Sequence, residues 1–342
     1  MVDNKYAHLL EKLVQKNLTV EVDKPLALLT TYAVGGHADI AVTVRTENDI
    51  RNLALVMADH SDFDIVILGR GSNTLISDAG FRGVVVILAT SEESRNISIV
   101  DGGVRAAGSM LMPVLARRSV QQGCGGLEWC VGIPGTVGGA VRMNAGGHGA
   151  DIADSLVNAT VVSLQSGVLK NITSDLLGLH FRGSALSPHH VVLSAAFRVS
   201  TISVDEGTRT LDEIVAWRRA NQPGGRNAGS VFVNPAPGQG SAGSLIDQCG
   251  LRGFSIGGAQ VSEKHANFIQ ASDGATAADV LAVMKHVQAV VADTHGVMLR
   301  SEVRLVGFDA AVAEQFSDVL HDSASNSSAR RLLRAELGES DG

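Results

Sequence analysis

The segment NAGSVFVNP, residues 227–235, sets one hydroxyl, Ser230, among glycine, alanine and apolar residues. A nucleophilic serine ordinarily needs a base within hydrogen-bond reach, and the nucleophile-elbow pattern Gly-x-Ser-x-Gly would flank it with glycines. Its neighbours are Ala228, Gly229, Val231 and Phe232, so the elbow is missing and another role is required, or none. Two other stretches carry chemistry through backbone rather than side chains. GRGSN, residues 69–73, follows an apolar run, but a dinucleotide fingerprint would need glycine at position 74, where Thr74 stands, and would open a helix rather than a second strand. The phosphate-loop pattern Gly-x4-Gly-Lys-Ser/Thr is absent as well. Gly69, Gly71, Ser72 and Asn73 can still form a nest of N–H groups suited to phosphate, although an ordinary tight turn explains this stretch taken alone. GIPGTVGGA, residues 132–140, is uncharged, holds four glycines and enters a helical stretch, so backbone amides can approach a flat or anionic ligand. Two such loops in one chain suit one long ligand, a diphosphate cofactor with a planar ring.

The remaining chemistry-bearing residues are weaker signals. Glu302 lies in MLRSEVRLV, where a period of two puts it on one face with Met298, Arg300 and Arg304, the pattern of a solvated charged strand. Arg182 alone reads as a surface arginine. His265 has no second histidine at metal spacing and reads as a hydrogen-bonded structural residue; no metal site is expected. Cys124, Cys130 and Cys249 contain no Cys-x-x-Cys pair and read as buried thiols.

Around these residues the periodicity predicts the supporting elements. A leading amphipathic helix covers residues 6–17, and residues 41–88 alternate strand, helix and strands in the manner of β-α-β units. Residues 97–199 alternate short strands with a helix near 110–121. A third section carries a helix around 211–220, a helix at 276–294 and a strand at 298–306. Beyond Phe308 the chain turns polar and serine-rich, which predicts a mobile tail over 309–342. The 342 residues carry 45% hydrophobic composition and a net charge of -7, with pI near 5.9 and mean hydropathy +0.16. That supports a large core and argues against nucleic acid or an anionic membrane as the main partner. With no apolar signal core and no run long enough to span a bilayer, the expected location is cytoplasmic and the expected partner a small molecule.

Six stretches in order, ILGRGSNTLISDAGFRGVVV, GLEWCVGIPGTVGGAVRMNAGGHGADI, FRGSAL, NAGSVFVNP, AGSLIDQCGLRGFSIGGAQVSEKHANFI and SEVRLVGF, resemble the UDP-N-acetylenolpyruvoylglucosamine reductase family from about Thr30 to Phe308. The resemblance implies an α+β protein with an FAD-binding domain of the vanillyl-alcohol-oxidase type in two subdomains, followed by a C-terminal α+β substrate domain. The corresponding boundaries are 1–95, 96–202 and 203–308, with 309–342 as tail. It implies reduction of the enolpyruvyl ether on UDP-N-acetylglucosamine to UDP-N-acetylmuramate for peptidoglycan synthesis, with FAD and NADPH. By the same resemblance Gly69, Gly71, Ser72, Asn73 and Thr74 take the FAD pyrophosphate. Ile133, Gly135, Thr136, Gly138, Gly139 and Ala140, with Asn144 and Gly146, line the cofactor. Arg182, Ser230 and Glu302 surround the reacting carbons, and Asn234 and Arg218 bind substrate or NADPH.

The chain departs from the family pattern at Phe181, where tyrosine is usual, and at Val233, where lysine is common; Met143 and His148 also differ. Arg218, Arg219 or Arg226 could replace the cation missing at 233. The short link between residues 199 and 211 places the chain in the branch without a substrate-covering insertion. Two alternatives remain at this stage: an FAD oxidoreductase of the same fold acting on a hydroxy acid or sugar, and a flavin-binding protein without turnover.

Overall fold

The computed structural model of the chain describes residues 4–100, 102–316 and 324–339. The change of period in its first third becomes strand His37–Val44, helix Glu47–Ala58, and strands Ile65–Leu68 and Phe81–Leu88. The helix begins where Thr46 and Asp49 exchange hydrogen bonds: Thr46 Oγ1 accepts from the Asp49 amide, and the Asp49 carboxylate accepts from the Thr46 amide. Ile50, Leu53, Ala54, Val56 and Met57 form its buried stripe. Strands 37–44, 81–88 and 65–68 run parallel, with 19–25 antiparallel at the edge. The parallel centre explains the unbroken GVVVIL run, since Val84, Val85 and Val86 are buried on both faces. GRGSN leaves the carboxyl end of strand 65–68, the end at which parallel sheets hold ligands.

A second sheet, antiparallel throughout, runs in the order 169–173, 156–163, 190–198, 103–107 and 98–100. Helices Met112–Gln121 and Val137–Met143 contribute to its core with Trp129 and Phe197. Val162, Leu164 and Val191 from this sheet pack instead into the core of the first, so the two units share an apolar floor.

The third unit joins helix Ala242–Gln248, a small sheet ending at Ile269–Ala271, and helix Ala277–His295. The long helix is fastened to the first unit at its start: the Ala277 and Ala278 amides each donate to the Asp78 carboxylate at 2.9 Å. A carboxylate there satisfies two orphan donors and the positive end of the helix dipole.

The strand expected over 298–306 is regular only at Arg304–Val306, which pairs in parallel with Thr74–Ile76. Just before it, the Val233 amide donates to Arg300 O, the Glu302 amide donates to Val231 O, and Ser301 bridges Phe232. Changing partners from 231–233 to 74–76 within a few residues breaks the period of two. It also fixes the third unit to the first.

The tail is where the sequence reading fails. Helices occupy Ala310–Phe316 and Ala324–Glu336, while residues 317–323 and 340–342 lie outside the described residues. Leu333 and Leu337 are fully buried in the core of the second unit with Ile172, Leu177 and Ala185. Glu339 Oε1 accepts from Ser163 Oγ at 2.6 Å and from His190 Nε2 at 2.8 Å. His190 Nδ1 accepts from the Ser187 amide, so Nε2 carries the proton and a neutral ring makes both bonds. A serine-rich composition concealed two leucines one helical turn apart and a buried acid that fits a buried histidine.

Two outcomes follow for the docked tail. Leu333→Ala or Leu337→Ala should cost about 2–5 kcal/mol in urea unfolding, the usual range for truncating a buried leucine. Burial pushes the Glu339 carboxyl up, and its hydrogen bonds from His190 and Ser163 outweigh that, leaving its pKa lowered. A folded pKa below the unfolded value makes this contribution complete above the ordinary glutamate range, and it is lost as pH falls through the folded value. Glu339→Gln should remove that part of the acid dependence of Tm; an unchanged acid profile would contradict the latch.

Candidate active site

Gly69 and Gly71 are glycines because nothing larger fits. A Cβ on Gly69 would collide with Thr136 Oγ1, and one on Gly71, at φ +61°, would strike the Leu29 carbonyl. The two glycine loops therefore touch, and a Cβ on Gly135 would stand 3.3 Å from Ser72 Oγ. Among the described residues, the amides of Gly71, Ser72 and Asn73 have no acceptor within the protein. Three successive unused donors on a cavity wall suit an anionic diphosphate. The second loop works differently from the expectation of free helix amides. Val137 N donates to Met110 O, Gly138 N to Gly108 O, Gly139 N to Thr136 Oγ1 and Ala140 N to Thr136 O. Its glycines provide close approach, and the first loop provides the donors.

Both loops line one cavity of about 930 Å³, near the top of the roughly 300–1,000 Å³ range of ligand pockets. Gly69, Gly71, Ser72, Asn73, Thr74, Ile133, Gly135, Thr136, Gly139, Ala140 and Gly146 all reach its wall, as do Arg182, Arg218, Ser230 and Glu302. Gly138 and Asn144 do not. Gly138 packs against the carbonyls of Gly108 and Val192, where a Cβ would stand 3.2–3.3 Å away. Asn144, left-handed at φ 38°, caps its helix and is buried. Its Nδ2 donates to Asp151 and His180 O, and its Oδ1 accepts from the Ala153 amide. An FAD group suits these residues: open amides for its diphosphate, glycine faces for a flat ring, and one cavity that both loops line.

Arg182 sits at the tip of a two-residue turn closed by mutual backbone bonds between His180 and Gly183, and it holds φ +59°. Glu302 Oε1 lies 2.8 Å from Arg182 Nε, an ion pair in which the Nε–H is not aimed at the oxygen. Arg182 Nη2 also donates to Gly146 O at 3.3 Å. Burial raises the Glu302 pKa against the opposing influence of Arg182. Asn73 makes two bonds to the backbone that follows Glu302: its Nδ2 donates to Glu302 O, and its carbonyl accepts from the Arg304 amide. Ser230 follows Gly229, at φ +77°, and reaches the same cavity.

A family model described as the C-terminal domain of UDP-N-acetylenolpyruvoylglucosamine reductase matches residues 221–306, and an FAD-binding-domain model matches 38–173. A reductase of that name from Synechococcus sp. (strain RCC307) is 40% identical over 297 residues, covering 86% of this chain and 96% of the relative. One from Bacillus pumilus is 34% identical, covering 90% and 99%. The chain belongs to the UDP-N-acetylenolpyruvoylglucosamine reductase family. The crystal structure of the reductase from Thermus caldophilus superposes with a TM-score of 0.71 at 31% identity, covering 84% of this chain and 98% of that one. The fold is α+β, with an FAD-binding domain of the vanillyl-alcohol-oxidase type and a C-terminal α+β unit.

Within this family member the departures take concrete form. Phe181, half exposed, places its ring 5.1 Å from the Arg182 guanidinium carbon, a cation–π contact where a hydroxyl was missed. A second cavity of about 740 Å³ shares Arg142, Arg182, Pro188, Glu302 and Arg304 with the first, and Val233 lines it. Arg218 reaches the first cavity only; burial lowers its pKa, and its charge acts on the nearby His148, which packs edge-on to Trp217. Arg226 pairs with Asp273, and neither it nor Arg219 lines either cavity. Asn234 likewise lies off both cavities, its Oδ1 accepting from the Ala242 amide at a helix start. Cys130 is buried, while Cys124 and Cys249 are half-buried. Among the described residues no three His, Cys, Asp or Glu side chains converge as metal ligands, and no helix is long and apolar enough to cross a membrane.

Two contributors escaped sequence reading. Arg304 is open to cavity water although protein encloses most of it, and that enclosure lowers its pKa. Asn267, buried in the middle of HANFI, clamps the serine loop: its Oδ1 accepts from the Phe232 amide, its Nδ2 donates to Phe232 O, and its carbonyl accepts from the Val231 amide. The only signal was a lone amide side chain between apolar neighbours. Asn267→Ala leaves the buried Phe232 amide and carbonyl unpaired and should cost about 2–4 kcal/mol in denaturant unfolding; a change under about 0.5 kcal/mol would show that the clamp carries no weight.

Proposed function

We propose that this chain catalyses the NADPH-dependent, FAD-mediated reduction of UDP-N-acetylglucosamine enolpyruvate to UDP-N-acetylmuramate, in the cytoplasm, as a step of peptidoglycan precursor synthesis. The observation that carries the reading is the convergence of Arg182, Glu302 and Ser230 on the wall of the cavity that also holds the open-amide turn. FAD, when bound there, supplies the relay that moves hydride from NADPH to the terminal carbon of the enolpyruvyl group. The adjacent carbon then needs a proton, and charge developing toward its carboxylate needs a cation.

Arg182 meets the second need. Its guanidinium stays charged and can grip a carboxylate through two N–H groups. In the structure it is paired with Glu302, so a substrate carboxylate would compete for the same partner. As Arg182 turns to substrate, its lowering influence on Glu302 weakens, and the burial that already raises the carboxyl pKa acts with less opposition, favouring the protonated form beside the reacting carbons. Ser230 meets the first need. A serine hydroxyl is a weak acid, yet the strongly basic carbon left after hydride addition can take its proton at short range. No histidine is required for a serine that gives a proton away. Small neighbours at 228 and 229 leave room for that approach.

In Ser230→Ala, stopped-flow absorbance should show NADPH bleaching the flavin at about the wild-type rate. Reoxidation by the enolpyruvyl nucleotide should slow by at least ~10²-fold, the low end for losing a positioned general acid. Equal slowing of both steps would mean a displaced cofactor. For Glu302, reoxidation should fall as pH rises through its pKa in the substrate complex, and Glu302→Gln, which cannot ionise, should lose that limb. A variant profile matching wild type in shape and rate would remove Glu302 from the chemistry.

A further inference from the structure

The helix Ala324–Glu336 reaches further than its own anchorage. Ala329, Leu333 and Leu337, spaced four residues apart, form one apolar stripe along it. Leu333 and Leu337 are fully buried, and Ala329 packs against the same core. The carboxyl end is bound to the second sheet: Glu339 accepts from Ser163 and His190, Ser166 Oγ donates to Leu337 O, and Lys170 pairs with Glu336. The middle of the helix lies elsewhere. It packs on the short turn Ser174–Leu177, and a Cβ on Gly178 would stand 2.7 Å from Ala329 Cβ and 3.2 Å from Ala185 Cβ. Gly178 also has φ +53°, so the close approach and the backbone both require glycine there.

That contact is the root of the loop that carries Arg182. The Ala185 amide donates to Leu177 O at 2.8 Å, closing a stretch of chain whose tip is the His180–Gly183 turn. Two side-chain bonds tie the stretch to helix Val137–Met143 and its cap: Asn144 Nδ2 donates to His180 O, and Ser184 Oγ donates to Arg142 O. These hold the tip and one stem, whereas the base, at Leu177, Gly178 and Ala185, packs with Ala329, Leu333 and Leu337. Arg182 needs such support, because a non-glycine residue at φ +59° persists only where its surroundings over-determine it. The chain between base and tip is short and closed by backbone bonds at both ends, so a shift at the base is carried to the guanidinium. The family model's C-terminal match ends at residue 306, and this support comes from beyond it.

We propose that helix Ala324–Glu336 is a positioning element for Arg182, in which Ala329 and Leu333 hold the base of the loop so that the guanidinium meets Glu302. Ala329 and Leu333 line neither cavity, so they act through Arg182 and not on a ligand. The proposal rests on the functional reading above for its effect on rate, and on packing alone for its effect on the turn.

The test uses the full-length, flavin-loaded protein well below its Tm. Leu333→Ala loosens the contact, Leu333→Met keeps its volume, and Ala329→Leu overfills it. In stopped-flow absorbance, NADPH should reduce the flavin of Leu333→Ala and Ala329→Leu at the wild-type rate. Reoxidation by the enolpyruvyl nucleotide should slow at least ~10-fold in both, within the ~10²-fold that about 1 Å of misplacement can cost. Leu333→Met should stay within about twofold, as expected of a volume-conserving core change. In an Arg182→Lys background, Leu333→Ala should slow reoxidation by less than about twofold more, since both changes then act on one residue. Amide hydrogen exchange reads the turn without turnover. The His180 and Gly183 amides, each donating to the other's carbonyl, should exchange at least ~10-fold faster in Leu333→Ala, and those of Thr46 and Asp49 should not change. A lower Tm with reoxidation and turn exchange at wild-type values would make the helix a stabiliser only and overturn the proposal. Equal slowing of both half-reactions, or losses that multiply in the Arg182→Lys background, would overturn it as well. If Leu333→Ala does not fold, Ala329→Leu, at a partly buried position, decides by the same readings. Failure of wild type to reoxidise with the enolpyruvyl nucleotide, with faster turn exchange in the variant, would sink the functional reading and leave the brace standing.

Discussion

One short segment changes partners, and the site depends on it. Residues 300–302 bond to the serine loop at 231–233, and residues 304–306 bond to the strand that follows the glycine turn. Glu302 falls between these two pairings, its amide bonded to Val231 and its carbonyl to Asn73. The backbone bonds thus bring three things to one cavity: the Glu302 carboxyl paired with Arg182, the Ser230 loop, and the open amides of 71–73. Each unit supplies part of the cavity wall, and none supplies it alone.

The electrostatics follow from that arrangement. Arg182, at the tip of a turn with φ +59°, and Glu302 form an ion pair on the cavity wall. Burial raises the Glu302 pKa, and the Arg182 charge opposes that rise. A cavity wall with several more arginines then extends outward from the pair.

Much of the frame was legible in the sequence because period and punctuation reported local geometry. The alternation of strand and helix over 41–88 matches strand His37–Val44, helix Glu47–Ala58 and strand Phe81–Leu88. The glycines of 69–71 and 132–139 announced close approach, and their mutual contact explains why they occur together. What failed were features set by distant partners. Nothing local in MLRSEVRLV shows that its partner changes midway. Nothing in the amides of 137–140 shows that carbonyls at 108 and 110 already take two of them. The tail misled for a similar reason: serine content dominated its composition, while its attachment rests on two leucines and an acid whose partner, His190, lies 149 residues away. Asn234 and Asn144 matched a motif, but their side chains support neighbouring backbone.

The central claim is that Arg182 and Glu302 act as one unit across the junction between domains. A double-mutant cycle on the reoxidation rate, with Arg182→Lys, Glu302→Gln and the pair together, measures it most directly. The account predicts strong non-additivity, with the double variant little slower than the slower single variant. Rate losses that simply multiply would show two residues acting independently and would contradict it.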